Sequence, residues 1–247
     1  MKITYLAMAV AAASLVVQPA LAQDYQMEAG VSYTSISPDV GPSDSAMGVD
    51  FRYNFETVST AGKPLAEAAF LGRNGGVNLG YSAIDKADVT NITVGGNYWF
   101  EDIYVAAELD MFDYGFTDGN DYQLTAGYMV SDSMLAYASY LDGDGYASAS
   151  FLLGTKYIMD LGANKANLEA ELAIHDAINM VNLVGDYYLN NELSVGVFTA
   201  LSDDTDLVDH TFGVAAKYFI TPVVSGELDY TMQDKDSAIG IRLAARF

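Results

Sequence analysis

Ionisable residues in this chain recur at alternate positions inside otherwise apolar stretches. Glu108 with Asp110, Glu169 with Glu171, and Glu227 with Asp229 are spaced this way, and Arg242 and Arg246 continue the pattern near the end of the chain. Glu28, Asp50, Arg52, Lys156, Asp186 and Lys217 hold the same parity within their own stretches. Side chains two apart share one face of a strand, so these residues form charged rows. Carboxylate rows with fewer cations concentrate cations and give hydrated solutes a polar wall to move along. Nothing in the spacing supplies a serine nucleophile, a phosphate-binding loop or a dinucleotide fingerprint. Gly75-Gly76 and Gly95-Gly96 read as turn and strand glycines.

Hydrolysis is the other chemistry to weigh. His175-Asp176 and Asp209-His210 contain the only histidines. General-base activation needs an imidazole and a carboxylate converging on one water. Neighbours in a strand point apart, so only a crossed pair, His175 with Asp209 or His210 with Asp176, meets that need. Asp142-x-Asp144 starts like a calcium loop, but Tyr146, Ala147 and Leu153 stand where later ligands, the glycine and the glutamate belong. Two histidines with loop acids make no structural metal set, so neither a metal nor a cofactor is expected.

The elements that position these residues read as strands. In Ala238–Phe247, Ile239, Ile241, Leu243, Ala245 and Phe247 share one side, and Arg242 and Arg246 share the other. Likewise Met47, Val49, Phe51, Tyr53 and Phe55 oppose Asp50, Arg52 and Asn54. Basic residues in mid-strand cost roughly 2–4 kcal/mol when they face lipid, so the charged rows must face inward and the aromatic rows outward. Met134–Leu141 is apolar without clear alternation, and its inward side stays open. Tight connections (Glu101-Asp102, Ser131–Ser133, Asn190-Asn191, Thr221-Pro222) alternate with acidic ones (Asp118–Asp121, Asp142–Gly145, Asp203–Asp209, Asp234–Asp236). This is the asymmetry of short periplasmic turns and longer external loops. The expected fold is all-β: a transmembrane antiparallel up-and-down β-barrel of about 14 strands, with 12 or 16 as neighbouring even solutions. One segment departs from the pattern. Pro64 followed by Leu65-Ala66-Glu67-Ala68-Ala69-Phe70-Leu71 and Gly72 reads as a short helix on the periplasmic side.

Met1–Ala22 reads as a signal peptide, with Lys2, an apolar stretch from Leu6 to Val17, and Ala20-Leu21-Ala22 as the cleavage site. Residues 23–247 then form one barrel domain. There is no cysteine, so no disulfide framework exists. A formal charge of −22 argues against nucleic acid as a partner, and the 18 tyrosines argue against an acidic disordered chain.

The signal peptide, the tyrosine-rich alternating strands, the Pro64–Leu71 segment and the terminal Phe247 resemble a family of general porins from Gram-negative bacteria. The resemblance covers the mature chain and brings no catalytic residue. It implies an outer-membrane pore for ions and small hydrophilic solutes, in contact with membrane lipid and lipopolysaccharide. Phe247 resembles the terminal signal that the barrel assembly machinery reads. Fourteen strands enclose more space than the eight whose interior side chains fill, so a water-filled, cation-preferring pore is the expected function. The alternatives are a plugged structural barrel and a rim-active hydrolase using His175 or His210 with Asp209 or Asp176. Loop acids at Asp118, Asp121, Asp142, Asp144, Asp203, Asp204, Asp206 and Asp209 would make the mouth negative as well.

If Phe247 is an assembly signal, Phe247→Glu lowers the amount of protein reaching the outer membrane several-fold. It should barely change the stability of a refolded barrel, since one exposed aromatic changes burial by only about 1.5–3 kcal/mol. Equal outer-membrane abundance of variant and parent refutes the signal.

Overall fold

β-Branched and aromatic residues at alternate positions favour extended chain, and every long stretch of this kind becomes a strand. Residues 24–115, 117–145, 149–175, 178–204 and 208–247 are described by the structure, a computed structural model. The proposed signal peptide therefore lies outside the described residues. The first seven strands are β1 (Tyr25–Ser37), β2 (Asp44–Val58), β3 (Gly76–Ile84), β4 (Val89–Phe100), β5 (Ile103–Asp113), β6 (Asp118–Ser131) and β7 (Met134–Gly143). The rest are β8 (Ser150–Asp160), β9 (Lys165–Ile174), β10 (Asn179–Tyr188), β11 (Leu193–Ser202), β12 (Thr211–Thr221), β13 (Val224–Gln233) and β14 (Asp236–Arg246).

Each strand pairs antiparallel with its neighbours in sequence, and β1 closes on β14, so the 14 strands form a closed barrel. The seam register pairs Glu28 with Arg246, Val31 with Leu243 and Tyr33 with Ile241. Phe247 extends the seam: its amide donates to the Met27 carbonyl at 2.9 Å, and its own carbonyl accepts from Gln26 and Met27 at 2.7 and 3.0 Å. The apolar face of each strand lies outside. Leu79, Leu124, Val197 and Ile220 are all more than half exposed on the outer wall, a distribution that suits hydrocarbon and not water.

The structure decides the side that Met134–Leu141 turns inward. Leu135, Ser139 and Leu141 are buried, whereas Ala136 and Ala138 are exposed. It also corrects two connections. Asp118–Asp121 belongs to β6, where Asp118 pairs with Asp113 and Asp121 with Asp110, and Asp142 and Gly143 belong to β7. Turn-forming residue types gave way there because cross-strand pairing satisfies their backbone. The Asn120 amide donates to Asp144 at 3.0 Å, and the Gly145 amide donates to Asp121 at 2.8 Å. At another external connection, Asp203 accepts from the Asn179 backbone at 2.8 Å and from its side chain at 2.7 Å. These bonds hold its carboxyl below the usual range. Loop acids thus clasp the ends of hairpins.

Between β2 and β3, on the side of the chain termini and tight turns, a 3-10 turn (Leu65–Glu67) runs into the single-turn helix α1 (Ala68–Leu71). It lies at the periplasmic end, as the sequence indicates, but Leu65, Glu67 and Ala68 are buried because the segment tucks inside the barrel.

The parity is testable in a protein without native cysteine. Asn78→Cys should react with a membrane-impermeant thiol reagent and Leu79→Cys with a bilayer-soluble one. The opposite pattern would mean that β3 is turned by one residue.

Candidate functional site

Among the described residues, the interior carboxylates include Glu28, Asp50, Glu67, Glu108, Asp110, Glu169, Glu171, Asp186, Glu227 and Asp229, and the interior basic side chains include Arg52, Lys156, Lys217, Arg242 and Arg246. The barrel sorts them into distinct groups. Across the seam, Arg242 reaches Glu28 at 3.1 Å, Asp50 at 2.6 Å and Glu227 at 2.8 Å. Lys217 also meets Glu227 at 2.8 Å. Arg246 contacts Glu28 at 2.7 Å, donates to the Leu65 carbonyl at 2.9 Å, and stacks on Tyr25 and Phe219 with 4.3 and 4.5 Å to the ring centroids. It is inward but sealed, with only 7% of its surface exposed.

A second group fixes the helical segment. Lys156 lies 3.0 Å from Glu67 and 2.7 Å from Glu169, and the Tyr188 hydroxyl donates to Glu67 at 2.7 Å. The Leu65 amide donates to the Asn191 carbonyl at 2.8 Å. Asn167 donates to both Glu169 and Asp186, at 2.8 and 3.0 Å. Such pairing meets the requirement that charge removed from water be matched.

Several of the remaining acids have neutral partners. Thr93 donates to Asp110. Glu171 accepts from the Tyr137 hydroxyl at 3.0 Å and from Asn182 at 3.1 Å. Among the described residues, Glu108, Asp110, Glu171, Asp186 and Asp229 have no basic group within 4.0 Å, and Arg52 is the one inward cation with no carboxylate at that distance. Glycines on adjacent strands make this arrangement possible. Asp229 pairs with Gly240, Asp186 with Gly196, Glu108 with Gly95, and Glu171 with Gly154. A Cβ on Gly240 would come 2.3 Å from the Asp229 carboxylate, and one on Gly196 2.2 Å from that of Asp186. Asp229, Asp186 and Glu108 therefore lie flat over a neighbouring strand, while Gly154 makes room for the Tyr137 ring.

The tucked segment divides the interior. A cavity of about 370 Å³ on one side is bordered by Arg52, Phe70, Trp99, Tyr104, Tyr137 and Glu171, among others. Another, of about 240 Å³, meets Glu67, Asp186, Lys217 and Asp229 on the far side. Sequence reasoning missed Glu67 as an interior acid and Trp99 and Tyr137 as interior rings. Trp99 was within reach, since it stands out of phase with Tyr98 and Phe100. Tyr137 was not, because Met134–Leu141 shows no alternation.

The histidines engage neighbours of other types. His175 meets the Ser150 hydroxyl, and Nδ1 of His210 accepts from the Ser202 amide at 3.2 Å. Asp209 is exposed, and Asp176 lies outside the described residues. Among the described residues no group of three or more His, Asp or Glu is placed to hold a metal.

The family model described as "Putative general bacterial porin" matches residues 1–150. Omp33, an outer-membrane protein of Acinetobacter baumannii, is 25% identical and superposes with a TM-score of 0.79, over 92% of this chain and all of that one. A multiply substituted porin of Rhodopseudomonas blastica matches at 12% identity and a TM-score of 0.50, over 90% of this chain and all of its own. A bacterial polysaccharide outer-membrane secretin matches at 11% identity and 0.54, over 90% of this chain and 99% of its own. Both of these bear on the fold alone. No curated protein matches the sequence.

Glu67 joins the segment to two strands of the wall, so Glu67→Ala strips Lys156 of one partner and leaves the Tyr188 hydroxyl unpaired. The expected loss is about 1–3 kcal/mol in denaturant unfolding of the refolded barrel, with Glu67→Gln losing less. An unchanged midpoint for both variants would mean the segment is not held by this contact.

Proposed function

The chain belongs to the general bacterial porin family, and from that membership we propose a water-filled pore that prefers cations and passes ions and small hydrophilic solutes by diffusion. Family and fold make it an outer-membrane porin of a Gram-negative bacterium, and they point to a channel rather than an enzyme. Its wall meets membrane lipid, and its interior meets small solutes. Lipopolysaccharide at the external rim and the assembly machinery at Phe247 are proposed contacts.

The observation that carries the cation preference is the imbalance left after pairing. Among the described residues, Glu108, Asp110, Glu171, Asp186 and Asp229 have no basic group within 4.0 Å, whereas of the interior cations named above Arg52 alone has no carboxylate at that distance. Carboxylates along a narrow passage with low-dielectric walls raise the local cation concentration and repel anions. The pore-lining residues in this reading are Glu108, Asp110, Glu171, Asp186, Asp229 and Arg52, with Glu28, Asp50, Glu169, Glu227, Lys156, Lys217 and Arg242 forming the paired wall. Arg246 faces the same way beneath the tucked segment.

One feature favours a closed barrel instead: the helical segment is bonded across the periplasmic half of the interior. Passage then depends on the space beside that segment.

Planar bilayers under a potassium chloride gradient test the proposal. The reversal potential should be cation-selective and should weaken without changing sign toward ~1 M salt, where the Debye length is about 3 Å. Charge reversal of Glu108 and Asp110 together to lysine should reduce or invert it. Anion selectivity of the parent protein refutes the preference, and folded protein without conductance favours the closed barrel.

A further inference from the structure

We propose that the larger cavity beside the helical segment is a binding site for a zwitterionic amino acid with an aromatic or large apolar side chain. Its carboxylate meets Arg52, its ammonium meets Glu171, and its side chain lies against Trp99 and Tyr104. The inference deepens the pore reading and rests on it for a role in transport.

Arg52 donates from Nε to Asn54 at 2.9 Å and from Nη2 to Asn97 at 2.7 Å. Both partners are neutral amide oxygens. A guanidinium has five N–H donors, so the amides fix its orientation and leave donors and the full charge for an anionic group. Glu171 is held in a corresponding way by the Tyr137 hydroxyl and Asn182, both neutral donors. The two unmatched charges border the same cavity. Its volume of about 370 Å³ lies near the small end of the range for small-molecule sites. That suits one amino acid and is too small for a peptide or oligosaccharide.

The rings supply the third element. Trp99 and Tyr104 stand 4.7 Å apart, and Phe70 of the tucked segment is 6.4 Å from Trp99. Trp99 is only half-buried by this packing and still borders the cavity. Rings on the wall of a hydrated passage favour a solute with an apolar face.

Charge selects among solutes. A simple cation leaves Arg52 unmatched, and a simple anion meets Glu171. An uncharged sugar satisfies neither. A zwitterion matches both and adds no net charge to the acid-rich interior.

Trp99 is the only tryptophan in the chain, so its emission in the refolded protein reports on this cavity directly. L-Phenylalanine should produce a saturable change in emission. Arg52→Gln, which removes the charge and shortens the side chain, and Glu171→Gln, which keeps side-chain volume, should each weaken binding about tenfold. N-acetyl-L-phenylalaninamide, which lacks both charges, and glucose should produce no saturable change. An absent response to L-phenylalanine, or an equal response to the uncharged analogue, overturns the site. Potassium chloride conductance of the same preparation separates the two readings. Conductance without saturable binding removes the site and leaves the pore, whereas saturable binding without conductance upholds the site and removes the pore.

Discussion

Hydrocarbon offers no hydrogen bonds to a polypeptide backbone, and each unmatched amide or carbonyl there costs several kcal/mol. The pairing of β1 with β14 is therefore the contact on which the rest of the structure depends. Without it, two strand edges would be open to lipid. Closure is reinforced on the inner face of the seam, where Arg246 and Arg242 on β14 reach Glu28 on β1. The aromatic rows can then face outward without penalty, and the polar residues gain an enclosed place.

Enclosure creates a second constraint, because charges gathered in the interior must be matched or hydrated. The protein does both, in different regions. Near the seam and beneath the tucked segment, cations and carboxylates interlock, and Arg246 is dry enough to stack on two rings. On β5, on β9, and at Asp229 of β13, carboxylates rest on hydroxyl or amide donors or lie over glycine. The first region gives rigidity; in the second, carboxylates stand without a basic partner.

The helical segment links the two regions. Glu67 joins it to Lys156 and Tyr188, and Phe70 brings it against Trp99. A wide barrel is thereby divided into smaller chambers whose chemistry differs: one flanked by rings and Arg52, the other by Asp186, Asp229 and Lys217. Size and recognition in such a passage are set by this inserted segment as much as by strand number.

Sequence by itself determined the strand class and the parity of nearly every strand, because a period of two in the residues is a period of two in space. Lipid enforces that period, so Ile239 to Phe247 could be read without coordinates. The same rule failed where alternation was absent, at Met134–Leu141, and where turn-forming residues continued a strand, at Asp118–Asp121. Only the tertiary structure decided which charges are neutralised. Arg242 gathers acids from three strands, and Glu171 meets the Tyr137 hydroxyl that reaches across Gly154, because cross-strand register brings together residues distant in the chain. It alone also turned Glu67 into an interior acid. Whether a short helix lies outside a barrel or within it depends on what it can bond there, and Lys156 and Tyr188 come from strands that the local sequence around Glu67 does not contain.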